Sequence, residues 1–219
     1  MPDPARPRVP ARELTVIDVF ADVACPFAHA GLRAVAARRA ELGRDHVVLH
    51  IRAWPLELVN KGPLDPHETA EHIDDLRAQV APDLFAGFDP GHFPVTSLPA
   101  LALAAEAYRV DAATGEAVSF ALRDALFEEG RDISTPDVLA AVAAPFGLSA
   151  EDEASSAEVI IDWREGQARG VKGSPHFFCG DLDAFCPGLH ISPAGDGHVH
   201  VARTIDKLDE FLRGCLGER

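Results

Sequence analysis

The sequence predicts an α/β fold in which an opening β-α-β unit and a closing α-β-β-α unit are separated by a block of helices. Three observations carry this prediction. An apolar, β-branched run near the start is followed directly by a long helical pattern and a second extended run. Strand signals then vanish over some eighty residues. They return only after a Gly-rich stretch that ends in a proline.

Taken in order, residues 14–20 are apolar and β-branched, broken by Asp18 and closed by Ala21-Asp22. This suits a buried strand. After Cys25-Pro26 the apolar residues Ala28, Leu32, Val35, Ala36 and Leu42 recur at helical spacing as far as Gly43. Pro26 falls where a first-turn proline loses no hydrogen bond. Residues 47–54 return to an extended pattern stopped by Pro55, and a strand-helix-strand order favours a parallel pair. From about residue 66 to 147 the pattern is helical. Val118, Leu122, Ala125 and Leu126 form one stripe, and Val138, Ala141 and Val142 form another after Ser134-Thr135-Pro136. Prolines 90, 94 and 99 break the middle into a loop, so about four helices are expected. Residues 151–169 are helical again, ended by Gly170 and Gly173. Pro175 opens the strand His176-Phe177-Phe178-Cys179. A four-residue hairpin loop over residues 181–184 leads to a strand over 185–191. A last helix carries Ile205, Leu208, Leu212, Cys215 and Leu216 on one face.

At 219 residues with 47% apolar side chains, the chain suits one packed body with an insertion. The expected division is a tail over 1–12, an α/β domain over 13–64 and 150–219, and a helical insertion over 65–149. A net charge of -15 argues against nucleic acid or an anionic membrane as partner, since both select basic patches. The first dozen residues hold four prolines and no apolar run fit for a signal peptide or membrane span. This predicts a cytoplasmic protein.

Four cysteines are too few for a disulfide framework. Cys25 lies at a helix start, where free amides and the helix dipole are expected to lower its pKa and make it a nucleophile; the plain alternative is an inert buried cysteine. His29, one turn on, is a candidate to stabilise the thiolate if protonated, against a packing role. Phe27 is expected to shape an apolar rim. Ten histidines show no metal-ligand spacing, and no metal is expected.

Two motifs at matching places in the chain, Cys25-Pro26-Phe27-Ala28 opening the first helix and Gly170-Val171-Lys172-Gly173-Ser174-Pro175 before the third strand, resemble the DsbA superfamily. Trp54-Pro55-Leu56-Glu57-Leu58 and residues 125–133 are similar to segments of its FrnE-like oxidoreductases. That group has C-P-W-C where this chain has Cys-Pro-Phe-Ala. The resemblance implies a thioredoxin-like fold, with a four-stranded mixed sheet and an all-helical insertion. It also implies a cis-proline loop packed against Cys25. Pro26, Phe27, Ala28, His29, Ser174 and Pro175 would then bind substrate or thiol, the backbone at Ser174 pairing with an extended ligand. The superfamily also contains 2-hydroxychromene-2-carboxylate isomerases and kappa-class glutathione transferases, which use a bound thiol.

Ala28 removes the resolving thiol that a dithiol cycle needs. Cys179 lies four residues along its strand from Pro175, roughly 13 Å away, whereas a disulfide needs α-carbons within about 7 Å. Cys186 is expected opposite Cys179 and so equally far from Cys25, and Cys215 is expected in the core. The sequence therefore predicts a monothiol oxidoreductase whose mixed disulfide on Cys25 is resolved by glutathione or an equivalent small thiol. No tightly bound cofactor is expected, the partner is a small-molecule thiol or disulfide, and a homodimer is left open. The alternatives are a thiol-dependent isomerase or transferase acting on a small electrophile, and a redox-inert binding protein.

Overall fold

The computed structural model describes residues 14–149, 153–195 and 197–218. The tail expected over residues 1–12 lies outside them. The chain opens with β1 (Thr15–Ala21), α1 (Pro26–Glu41) and β2 (Val47–Ala53). Next come α2 (Leu56–Asn60), α3 (Pro66–Gln79), α4 (Leu98–Val110), α5 (Ala112–Phe127), α6 (Pro136–Ala143) and α7 (Glu153–Ala168). It closes with β3 (His176–Cys179), β4 (Leu182–Phe185), β5 (Leu189–Pro193), β6 (Val199–Arg203) and α8 (Ile205–Cys215).

The main sheet has the order β2-β1-β3-β4. β1 runs parallel to β2 and antiparallel to β3, and β3 runs antiparallel to β4. The sheet is therefore mixed and four-stranded, as expected. One of its faces is filled by Ile17, Val19, Leu32, Leu49, Phe177 and Leu208, which join α1 and α8 to the strands in one apolar cluster. On the other face Phe20, Trp54 and Phe178 meet α7. A Cβ on Gly166 would fall 2.6 Å from the Trp54 ring, so this glycine lets α7 come down onto the sheet. The larger cluster lies among α3 to α6.

β2 is an edge strand, and helices cover its outward amides. Leu49 N donates to Glu116 of α5 (2.9 Å), Ile51 N to the Tyr108 hydroxyl of α4 (2.9 Å), and Ala53 N to Asp162 of α7 (2.9 Å). Such side chains satisfy groups that would otherwise be orphaned or open to pairing.

The structure corrects the last hairpin. Residues 181–184 are not a loop: Leu182–Phe185 is β4 itself, joined to β3 by a tight turn at Gly180, whose φ is +58°. The predicted strand over 185–191 is broken at Cys186, and β5 pairs with β6, a strand the sequence did not suggest, rather than with the main sheet. This second hairpin sits on α3, where Asp75 and Gln79 accept from the amides of Val199 and Val201.

Candidate active site

Cys25 occupies the N-cap position of α1, with Pro26 in the first turn. Its thiol donates to the carbonyl of Ser174 at 3.3 Å, and the Ser174-Pro175 peptide bond is cis. The Ser174 hydroxyl in turn accepts from Asp22 N at 2.9 Å, so the loop before β3 is tied both to the thiol and to the end of β1. Gly31 seats the other side of the loop: a Cβ there would lie 3.4 Å from Pro175 Cγ. Cys25, Pro26, Ala28, Ser174 and Pro175 thus meet at one place.

The remaining two predicted residues lie to the side. Phe27 is partly buried, its ring centred 5.1 Å from that of His72 on α3, and forms a wall between α1 and the helical block. His29 is fully buried and faces the helical block. Its Nε2 lies 2.7 Å from Glu128 and its ring packs on Phe85 and Phe127. Burial lowers the pKa of His29, the hydrogen bond to Glu128 opposing, which favours the neutral ring. It therefore ties α1 to that block.

The sequence missed what lies beneath Cys25. Asp22, buried at the end of β1, accepts from Ala24 N (2.8 Å), Leu56 N (2.6 Å) and the Ser97 hydroxyl (3.1 Å). Three donors suit an ionised carboxylate. Arg123 of α5, 1% exposed, donates to the Asp22 carbonyl (3.1 Å) and to the Ser119 hydroxyl (2.7 Å). Burial raises the Asp22 pKa and brings that of Arg123 down to about 10, where it still carries its charge at neutral pH. The signals were one acidic residue inside the run Val19-Phe20-Ala21-Asp22-Val23-Ala24, and one basic residue inside an apolar helical stripe.

The expected lowering of the Cys25 pKa is overturned. Burial is the largest influence and pushes the thiol up, Asp22 adds to it, and the bonds from Ser174, Ala28 and Phe27 only oppose them. A helix start contributes of order 0.3–1 kcal/mol at an exposed site, whereas burial of an ionisable group can move its pKa by several units. Cys25 is 3% exposed, so burial wins.

The other thiols are also placed differently from expectation. Because β4 begins earlier than predicted, Cys186 falls beside Pro175 rather than opposite Cys179: its amide donates to the Pro175 carbonyl at 3.0 Å. Its Sγ would lie 4.0 Å from a Cβ on Gly31, and Cys25 contributes, after burial, to pushing its pKa up to about 12. Cys186 is therefore near Cys25, not remote from it. Cys179 has Leu182 as its cross-strand partner. Cys215 packs on the core as expected but keeps some exposure. Among the described residues, no three His, Cys, Asp or Glu side chains cluster as metal ligands, and no helix is long and apolar enough to cross a membrane.

No curated protein matches the chain. Among solved structures it is similar to one from Streptomyces coelicolor described as a probable DsbA oxidoreductase (19% identity, TM-score 0.64, covering 94% of this chain and 91% of that one). The cytosolic disulfide reductase DsbM of Pseudomonas aeruginosa is also similar (19%, TM-score 0.56, 92% and 98%). So is a 2-hydroxychromene-2-carboxylate isomerase (17%, TM-score 0.57, 78% and 88%). At these identities the likeness bears on the fold alone. Residues 16–194 match the family described as DSBA-like thioredoxin domain, and that span contains all but the first residue of β1, the Cys25 helix, the helical block, the cis-Pro175 loop and the hairpin after it. The chain belongs to the DsbA family of thioredoxin-fold proteins.

Proposed function

We propose that the chain is a thiol-disulfide oxidoreductase that works with one catalytic thiol. The observation that carries this is the site itself: Cys25 lies 3.3 Å from the Ser174 carbonyl beside cis-Pro175, while the position one turn along α1 is Ala28. The Cys25 thiolate attacks one sulfur of a disulfide R–S–S–R′, forming the Cys25–S–S–R bond and expelling R′S⁻, which takes up a proton. An external thiol of the glutathione class then attacks the R sulfur as its thiolate, releasing Cys25 and leaving R joined to the incoming thiol. Electrons balance, since each step exchanges one S–S bond for another.

The loop backbone at Ser174 and Pro175 holds the substrate or the thiol's peptide portion, and Phe27 shapes the apolar wall beside it. We place the protein in the cytoplasm, where thiols of this class accumulate, with no tightly bound cofactor. Within the family we place it with the FrnE-like group, on the strength of residues 54–58 and 125–133.

The test is intact-mass analysis after exposure to glutathione disulfide, together with a glutathione-dependent disulfide reductase assay. One glutathione adduct on Cys25, and turnover lost in Cys25→Ser but kept in Cys186→Ser, are expected. A Cys25–Cys186 disulfide in place of the adduct would overturn the monothiol cycle. Conversion of a small electrophile without any adduct would move the chain to the isomerase and transferase side of the family.

A further inference from the structure

Of the three thiols that this chemistry does not use, Cys179 and Cys215 lie away from the site. Cys179 ends β3, two residues beyond Phe177, so the two side chains share one face of the strand. Phe177 packs edge-on against Phe211 of α8, with ring centres 6.1 Å apart. Cys215 follows Phe211 by four residues and so lies on the same stripe of the helix. Two residues along a strand and one turn along a helix cover nearly equal lengths, about 6.6 Å and 6 Å. With Phe177 packed on Phe211, Cys179 falls opposite Cys215.

Neighbouring contacts agree. Both cysteines pack against the cluster that joins α8 to the sheet. Gly214 comes so close to β4 that a Cβ on it would lie 2.7 Å from Leu182, the cross-strand partner of Cys179. Burial pushes the Cys215 thiol up, and the neighbouring Cys179 thiol adds to this. Both side chains are partly exposed and both thiols are free.

We propose that Cys179 and Cys215 form a second redox site, a dithiol that closes to a disulfide and fastens the end of α8 to β3. With glutathione disulfide as oxidant, Cys179 attacks and expels one glutathione thiolate. Cys215 then attacks the mixed disulfide and expels the second. The two cysteine protons end on the two released glutathiones, so two thiols are oxidised and one disulfide is reduced. The pair lies at the far end of β3 from Pro175, roughly 13 Å along the strand, so this site does not rest on the cycle proposed for Cys25.

The experiment treats the full folded chain with glutathione disulfide, blocks remaining thiols by alkylation, and maps peptides without reduction. Trypsin leaves Cys179 and Cys186 together, so Asp-N is added to cut between them before Asp181. The expected product is a Cys179 peptide joined to the Cys215 peptide, lighter than the two together by two hydrogens. Cys179→Ala and Cys215→Ala should each lose the linkage and leave the other cysteine as a glutathione adduct. If both cysteines stay alkylatable, if each carries its own adduct in the unsubstituted chain, or if the linkage forms only in urea, the second site does not exist. A Cys25 that forms no adduct leaves this result untouched.

Discussion

Arg123→Met removes a buried cation while keeping much of its length. The guanidinium makes hydrogen bonds to the Ser119 hydroxyl, the Ser119 carbonyl and the Asp22 carbonyl. The Asp22 carbonyl also accepts from Cys25 N, so it does not lose its only partner. The larger cost falls on the Asp22 carboxylate, which stays buried with its compensating charge gone. Leaving a buried charge uncompensated costs about 3–5 kcal/mol, and the apolar surface of methionine offsets part of it. We therefore expect a loss of about 3 kcal/mol in urea unfolding at neutral pH, a sizeable part of the roughly 5–15 kcal/mol that holds a domain folded.

The pH dependence gives the same reasoning a sign. The folded pKa of Asp22 is raised above its ordinary value, so the folded state binds the extra proton. The stability due to this group is then greatest below the unfolded value and falls as pH rises toward the folded one. Removing Arg123 raises the folded value further, so the deficit of the variant should grow as pH rises above about 4. Asp22→Asn should flatten that slope, and the double variant should cost about 2 kcal/mol less than the sum of the singles. Costs that add within about 0.5 kcal/mol, or a deficit that does not change with pH, would refute this charge coupling.

Glu116→Ala should cost about 2–3 kcal/mol in the same assay, because it frees the Leu49 amide and both Glu116 bonds to Arg39. Glu128 is held at about 2: burial pushes it up, but His29 and the amides of Phe85 and Ala86 outweigh this. Its contribution is complete above about pH 4.5 and is lost as pH falls toward 2, so Glu128→Gln should be destabilised by about 1–2 kcal/mol at neutral pH and should shrink that difference in acid unfolding scans. Ala28→Cys should restore a C-x-x-C pair, and oxidation should then join Cys25 to the introduced cysteine; a glutathione adduct on Cys25 of the oxidised variant would count against this geometry. Asp22→Asn should lower the Cys25 pKa and speed its alkylation several-fold at neutral pH, and an unchanged or slower rate would show that Asp22 does not act on the thiol.

The parts of the fold legible in the sequence are those whose burial is one-sided or complete. β1 reads as an apolar run because most of it lies deep in the molecule, and β2 as an extended pattern because every second residue is buried. α5 and α6 read as periodic stripes because one face of each meets the cluster. β4 did not, because Leu182–Phe185 is largely exposed and carries Asp183, so it resembles a polar loop. β5 and β6 carry His190, Ser192 and His200, and pair only with each other. That one misplaced turn displaced Cys186 from Pro175 to Cys179 and hid the pairing of Cys179 with Cys215. The site was half legible for a related reason. Cys25 and Pro175 are marked by local chain geometry, which has a sequence signature. Asp22 and Arg123 are marked only by the company they keep across 101 residues of chain.

The burial of Cys25 changes what a missing partner means. A thiolate loses its hydration in a closed site, whereas a disulfide carries no charge and loses little, so the same burial that raises the thiol pKa favours the mixed disulfide over the free thiolate. A thiol of high pKa is also a poor leaving group, which slows any step that expels Cys25. In a C-x-x-C enzyme the second cysteine overcomes this by attacking from one helical turn away. Here Ala28 fills that place, and Cys186, the nearest sulfur in the hairpin, is itself buried and pushed up to about 12. The two thiols near the site are therefore poor at resolving each other, which is why the function proposed above gives the release of a disulfide on Cys25 to a more acidic, mobile thiol from solution.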